Sequence, residues 1–287
     1  MSKEKSLKVG IVGHGFVGKA TDYGFSIKTE KFIVDPLINT NIKQLSDFNP
    51  DVVFVCVPTP MGLSGKQDSS IIESVVEELT EECSDSIIVI KSTVLPSILD
   101  ILVNVNRDII YNPEFLREKH ANDDFVNSDM IILGGNKDIS SQVSKYYFDH
   151  SSCTSKQHIF TDISTASLLK YSINTFLATK VLFFNEINEI FEKLDSNDSW
   201  QSFTQTMSRD KRIGFSHMNV PGHDGKKGFG GACFPKDTIA LIKYAESIGV
   251  DLQTLKTVFN KNNEIRKEYD EIGSREKDQN ISFDDKI

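Results

Sequence analysis

Long apolar runs are missing from this sequence. Nowhere do about 18 apolar residues follow one another, so no membrane-spanning helix is expected. The opening Met1-Ser2-Lys3-Glu4-Lys5-Ser6 leads straight into a strand pattern and lacks the apolar core and cleavage site of a secretory signal. Cysteine is sparse as well. Cys56, Cys83, Cys153 and Cys233 are far apart and form no Cys-x-x-Cys pair, which argues against a disulfide framework and against a zinc site. No metal is expected, and a reducing, cytoplasmic setting fits best. Positive charge is in deficit: 32 Lys and Arg stand against 41 Asp and Glu, a net charge of −9. That balance excludes general binding to nucleic acid or to anionic membranes, and an anionic ligand would need a local basic pocket. Internal repeats and low-complexity segments are also absent, and the length allows two domains.

What the sequence does have is alternation. Residues 7–12 form a short apolar run, interrupted by Lys8 and Gly10, that reads as a buried strand. Gly13-His14-Gly15-Phe16-Val17-Gly18 follows, then a helix-compatible stretch over 17–27, then Phe32-Ile33-Val34 ending in Asp35. This is the dinucleotide fingerprint in its setting. Gly13 permits the turn, Gly15 lets backbone approach a pyrophosphate, and Gly18 lets helix and strand pack closely. Phe16 and Val17 share that turn and join the cofactor-binding set. Asp35, at the acidic strand end, can accept hydrogen bonds from a ribose and favours NAD over NADP.

Further units follow. Asp51-Val52-Val53-Phe54-Val55-Cys56-Val57 reads as a strand covered on both faces, with Cys56 in the core. A helix is expected over 70–83, a strand over 86–90, a helix from Pro96, and strands at Ile109-Ile110-Tyr111 and Met130-Ile131-Ile132-Leu133. Repeated strand–helix units predict an α/β fold with a Rossmann-type, doubly wound parallel sheet, and ligands bind beyond the C-terminal ends of its strands. Val57-Pro58-Thr59-Pro60, Lys91-Ser92-Thr93-Val94 and Asn112-Pro113-Glu114-Phe115-Leu116-Arg117-Glu118 all fall at such ends. Each alone could be turn chemistry.

From Thr161 the pattern turns helical. Asp162 can cap a helix reaching about Leu194 whose middle is apolar on nearly every side, as for a helix that is buried or lies in a dimer interface. Lys170 and Asn174 share one of its faces. Lysine at such a place either serves chemistry or snorkels to water. A shorter helix is expected over 199–207, a loop with local basic residues over 210–227, and a last helix over 252–269. Gly228-Phe229-Gly230-Gly231-Ala232-Cys233-Phe234-Pro235-Lys236-Asp237 is a glycine loop running into a helix. Cys233 then sits at a helix N-terminus, where partial positive charge favours a thiolate. Asp237 follows in the first turn. Cysteine can equally be a small buried hydrophobe, and Asp there only a dipole partner. The boundaries read from these patterns are an NAD-binding domain over 1–160, a helical central domain over 161–272, and a polar tail over 273–287 expected to be disordered.

Taken together, the seven motifs resemble the UDP-glucose/GDP-mannose dehydrogenase family, its UDP-glucose-oxidising members most closely. They are Gly13-x-Gly15-x-x-Gly18, Val57 to Pro60, Lys91 to Val94, Asn112 to Glu118, Lys170-x-x-x-Asn174, Asp210-x-Arg212-Ile213-Gly214 and the Gly228 to Asp237 loop, in family order over residues 8–263. The resemblance implies an NAD-dependent, four-electron oxidation of UDP-glucose to UDP-glucuronate. Cys233 would capture the aldehyde as a thiohemiacetal and carry the acid as a thioester. Lys170 would stabilise oxyanion character, Asn174 would orient the substrate, Asp237 would act with Lys170 in proton transfer, and Glu114 would be the general base. Thr93 and Glu118 would support the chemistry. Val57, Pro58, Thr59, Ser92, Thr93 and Glu118 would line the cofactor. Phe115, Leu116, Arg117, Phe229, Gly230 and Gly231 would line the nucleotide sugar with Lys170 and Asn174. Arg212 would reach a neighbouring subunit's substrate, implying a homodimer built on the long helix.

The sequence also departs from the family. A third domain is usual after the central helices, and the sequence ending at Ile287 is expected to be a short form without it. Lys119 and His120 stand where small residues are usual, and Met130 where arginine is. The substrate could then be another nucleotide sugar, GDP-mannose or UDP-N-acetylmannosamine. A β-hydroxyacid dehydrogenase would share the glycine turn and a helix lysine but has no need of Cys233. A non-catalytic, NAD-binding dimerisation module is the remaining alternative.

Overall fold

The computed structural model describes residues 6–62, 65–284 and 287; the opening segment read for a targeting signal, up to Lys5, and residues 285–286 of the tail lie outside them. The chain divides into two compact units, Met1–Thr59 with Asp68–Lys170, and Pro60–Gln67 with Tyr171–Ile287. The division differs from the expected one at residue 160. It falls within a single long helix, and the short Pro60–Gln67 segment clusters with the later residues.

The first unit is a seven-stranded sheet with helices between its strands. In chain order it comprises β1 (Leu7–Val12), α1 (Phe16–Gly24), β2 (Thr29–Val34), α2 (Ile42–Phe48), β3 (Val52–Val55), α3 (Ser70–Glu82), β4 (Ile87–Ile90), α4 (Pro96–Val105), β5 (Ile110–Tyr111), α5 (Ala121–Val126), β6 (Ile131–Gly134), α6 (Lys137–His150) and β7 (His158–Thr161). The strand order is β2-β1-β3-β4-β5-β6-β7. Neighbours are parallel except β5 and β6, which pair antiparallel through Tyr111 and Gly134. The sheet is therefore mostly parallel, as the strand–helix alternation predicts, with one antiparallel step. Strands β3 and β6 are buried along their whole length, which explains why they read as continuous apolar runs. The core packs Val9, Ile11, Phe54, Val89 and Ile110 with Phe25, Phe125 and Tyr147. Chain order reverses direction between β1 and β3, and at such a switch point loops diverge and leave a crevice.

Helix α7 (Ile163–Phe191) carries the chain into the second unit, which adds α8 (Trp200–Met207), α9 (Phe234–Ser247), α10 (Gln253–Arg266) and α11 (Ser274–Asp278). Among the described residues, two apolar clusters lie in this unit. Ala178 and Leu182 of α7 pack on Phe229, while Met61 packs with Ile239 and Ile242 of α9 and Phe259 of α10. The tail expected to be disordered is folded instead as far as Asp284. Residues 274–278 are helical, and Glu276, Ile281 and Phe283 are buried. Its buried members include a carboxylate with an ionic partner, so composition alone gave no sign of a packed segment. Among the described residues no helix is long and apolar enough to cross a membrane.

Candidate active site

In the first unit the glycine turn sits at the switch point between β1 and β3. Gly13 has φ +88°, and a Cβ there would stand 2.7 Å from the carbonyl oxygen of Cys56, so only glycine fits. A Cβ on Gly18 would collide with the carbonyl of Gly13, whereas nothing lies within 4 Å of the place a Cβ on Gly15 would take. Backbone at Gly15 is thus open to a ligand while its neighbours are locked. Asp35 holds the turn from the next strand. One carboxylate oxygen accepts from the His14 amide at 2.7 Å and the other from the Leu37 amide at 2.9 Å. A carboxylate has lone pairs beyond these two for ribose hydroxyls. These residues fit a dinucleotide, with the pyrophosphate at the start of α1 and the ribose at Asp35. The rim is tied together beside it: the Ser92 hydroxyl donates to the Val57 carbonyl at 2.7 Å, and the Thr59 hydroxyl to the Thr93 carbonyl at 2.8 Å.

Beyond β5 lies a buried polar network. Asn112 Oδ1 accepts from Lys91 Nζ at 2.9 Å and from the Tyr147 hydroxyl at 2.6 Å, while Asn112 Nδ2 donates to the Ile132 carbonyl at 2.9 Å. Burial pushes the Lys91 ammonium below its ordinary pKa, and nearby Glu114 works against that shift. Burial likewise pushes the Tyr147 hydroxyl up. Glu114 is buried two residues further on. Its Oε2 accepts the Leu116 amide at 2.6 Å, and its Oε1 lies 3.3 Å from Lys170 Nζ. Lys170 Nζ also donates to the Glu114 carbonyl and stands 5.0 Å from the centre of the Phe115 ring. Lys170 therefore does not snorkel: it is buried and turned onto the Asn112–Glu118 motif.

In the second unit Cys233 is the N-cap of α9, with Pro235 in the first turn. Its carbonyl accepts the Asp237 amide at 2.8 Å. Asp237 is buried, its Oδ2 receiving Asn174 Nδ2 at 2.6 Å and its Oδ1 receiving Lys236 Nζ at 2.7 Å. The loop before Cys233 is pinned at three amides. Gly228 donates to Asn185 Oδ1 at 3.0 Å, Phe229 to Asn262 Oδ1 at 2.7 Å, and Gly231 to Glu276 Oε1 at 3.0 Å.

The expected site residues thus fall into two sets. Gly13, Gly15, Phe16, Val17, Gly18, Asp35, Val57, Pro58, Thr59, Ser92, Thr93, Glu114, Phe115, Leu116 and Lys170 belong to the first unit, and Asn174, Phe229, Gly230, Gly231, Cys233 and Asp237 to the second. Lys170 and Asn174 are four apart on one continuous helix. Besides Gly15 and Pro58 at the rim, three expected residues stand in the open. Arg117 is exposed and forks onto Asp124, at 3.1 Å through Nε and 2.7 Å through Nη2. Glu118 is exposed in the short 3₁₀ turn Glu118–His120. Arg212 is exposed and bound to Asp210 within its own loop. Sequence reasoning missed Tyr147, Asn185, Asn262 and Glu276 as supports of these motifs. Polar residues on the inward face of an otherwise amphipathic helix were the available signal, clearest for Asn262 and Arg266 of α10.

Residues 36–151 match the NAD binding domain of the UDP-glucose/GDP-mannose dehydrogenase family, and residues 164–264 match its central domain. The chain is 32% identical over 252 residues to a UDP-glucose 6-dehydrogenase of Rickettsia bellii, covering 84% of this chain and 56% of that protein. It thus spans about half the length of the curated relatives it matches. Among solved structures, a UDP-glucose dehydrogenase of the archaeon Pyrobaculum islandicum superposes with a TM-score of 0.79 at 25% identity, over 92% of this chain and 69% of that one. A GDP-mannose dehydrogenase of Pseudomonas aeruginosa shares the fold, with a TM-score of 0.61 at 23% identity, over 90% and 69% of the two chains. The chain belongs to the UDP-glucose/GDP-mannose dehydrogenase family, with an NAD-binding domain followed by the family's central domain.

Proposed function

We propose that this chain oxidises the C6 alcohol of UDP-glucose to the carboxylate of UDP-glucuronate. NAD, when bound, supplies the two-electron acceptor for each of the two oxidations. Glu114 takes the proton of the C6 hydroxyl as the alcohol becomes an aldehyde, and Lys170 balances negative charge on that oxygen. The Cys233 sulfur then adds to the aldehyde carbon, forming a C–S bond and a thiohemiacetal whose carbon can be oxidised again, to a thioester. Water cleaves the C–S bond, returning the thiol and releasing the acid. Asn174 orients the substrate oxygen, and Asp237 handles protons with Lys170. Gly13, Gly15, Gly18 and Asp35 hold the cofactor, with Thr59, Ser92 and Thr93 fixing the rim beside it.

The observation that carries this reading is the buried Asp237, one helical turn from the capping Cys233 and fixed by Asn174 and Lys236. A thiol at a helix N-terminus favours the thiolate, and a buried, hydrogen-bonded carboxylate one turn further on is fixed for proton handling, which together suit covalent catalysis.

The test follows NADH with the purified chain, NAD⁺ and UDP-glucose. Two NADH per sugar are expected, and Cys233→Ser should stop after the first oxidation. Turnover by Cys233→Ser at the wild-type rate would remove the covalent step. Two NADH on GDP-mannose or UDP-N-acetylmannosamine, with none on UDP-glucose, would move the substrate within the family. NAD⁺ binding without turnover on all three would leave a binding module.

The same reading includes a homodimer built on α7. Phe176, Phe183 and Ile190 recur every seven residues on that helix and are 66, 50 and 59% exposed, an apolar stripe with the repeat of a helix-packing seam.

A further inference from the structure

The loop ahead of Cys233 is anchored by the buried Phe229, but the glycines around that residue have nothing of their own to hold them. Gly228, Gly230 and Gly231 offer no side chains, and Gly228 and Gly231 have φ of +74° and +77°. After Phe229, position comes from groups that reach the loop's amides, and Gly231, two residues before Cys233, is held by Glu276 of α11. Glu276 Oε1 accepts the Gly231 amide at 3.0 Å and Arg266 Nη2 at 2.9 Å. Its Oε2 accepts the Gly273 amide at 2.5 Å. Arg266 is buried in turn, with Nη1 on Asp224 at 2.7 Å and its guanidinium 5.3 Å from the centre of the Phe283 ring. A Cβ on Gly230 would strike both Arg266 and Glu276, so the pair fits against bare backbone. The following residues continue the strut: Gln279 O accepts the Met61 amide at 3.2 Å and Asn280 Nδ2 donates to the Met61 carbonyl at 3.1 Å.

A buried ion pair is a weak source of stability, because desolvation offsets the attraction, whereas its directional bonds fix geometry. Here those bonds end on the loop that delivers the sulfur. We propose that Glu276, held by Arg266, is a positioning residue for Cys233, keeping the thiol at the N-terminus of α9. The inference rests on the reading of Cys233 as the reacting group, but its test needs no substrate.

The test is the rate of iodoacetamide alkylation at Cys233 against pH, read on the Cys233 peptide by mass spectrometry in the full chain. In Glu276→Ala the midpoint should move up by about one pH unit, slowing alkylation at neutral pH about tenfold. Glu276→Gln, which still offers an acceptor to Gly231, should recover most of the rate. A Glu276 that only stabilises the fold would lower the urea midpoint and leave the Cys233 profile unchanged, which overturns the proposal. Should Glu276→Ala fail to fold, Glu276→Asp decides, since it keeps a charge for Arg266 but withdraws from Gly231 by one methylene. A displaced midpoint in that variant supports the proposal, and the wild-type midpoint overturns it. Absence of turnover on UDP-glucose would count against the proposed reaction and leave this measurement intact.

Discussion

Asn112 serves three buried groups at once: the Lys91 ammonium, the Tyr147 hydroxyl and the Ile132 carbonyl. Replacing it with leucine keeps the volume and removes one buried hydrogen bond from each of the three, leaving Lys91 with the Tyr147 hydroxyl at 3.3 Å and the residue-112 carbonyl at 3.5 Å; each lost buried bond costs about 1–3 kcal/mol. Asn112→Leu should therefore lose about 3 kcal/mol in urea unfolding, while Tyr147→Phe, which removes one hydroxyl that donates to Asn112 and accepts from Lys91, should lose less because Lys91 keeps Asn112. Equal losses in the two variants would mean the groups do not act as a network. The cysteines separate at this scale too. Burial pushes Cys56 up to about 12, and burial likewise raises Cys153. Neither offers a thiolate near neutral pH, whereas Cys233 caps a helix and is only partly buried.

Elements differ in how far they could be read beforehand. The first strand, its glycine turn and Asp35 were legible because the dinucleotide turn needs particular residues at particular spacings. The start of α9 was legible because Pro235 and the glycines before Cys233 punctuate the chain. Helix α6 was not, because its inward face includes Ser140 and Ser144 beside Val143 and Tyr147, which leaves a weak apolar period. Strand β7 was not, because it lies at the sheet edge and leaves Ile159 and Phe160 exposed, so neither a continuous run nor an inward–outward alternation marks it. The antiparallel step at β5 has no local signal. Helix α11 was hidden because what it buries is Glu276, whose partner lies ten residues earlier in α10. That ion cluster gives the second unit a pH dependence. Burial pushes Asp224 up, but the hydrogen bond and charge of Arg266 outweigh it and hold the carboxyl below its ordinary 3.8. A carboxyl depressed by folding stabilises fully above its unfolded pKa, and that contribution is lost as pH falls through the lower folded value. Thermal melts from about pH 5 down to pH 2 should therefore fall more steeply for wild type than for Asp224→Asn. Parallel curves would show that the pair adds nothing.

For the whole molecule, the proposed homodimer rests on the stripe on α7. The sequence expected this helix to be buried or to lie in a dimer interface, and its apolar residues divide into buried and exposed ones. Tyr171, Ala178, Leu182 and Phe184 are buried, while Phe176, Phe183 and Ile190 face outward. Isolated exposed apolar residues are ordinary, but large ones repeated along a helix form a patch whose burial against a second copy is favourable. Seven-residue spacing brings the stripe back to nearly the same face every two turns, so two such helices can pack along their length. Phe176→Glu with Phe183→Glu puts a carboxylate at two positions of that seam in each chain. In a dimer these charges would meet across the interface without partners. Light scattering behind size exclusion should therefore read twice the chain mass for wild type and one chain mass for the double variant, with NAD⁺ binding retained, since the glycine turn and Asp35 are untouched. A wild-type monomer, or a dimer indifferent to both charges, would mean the stripe is not the seam, and Arg212 would then have no neighbouring substrate to reach through it.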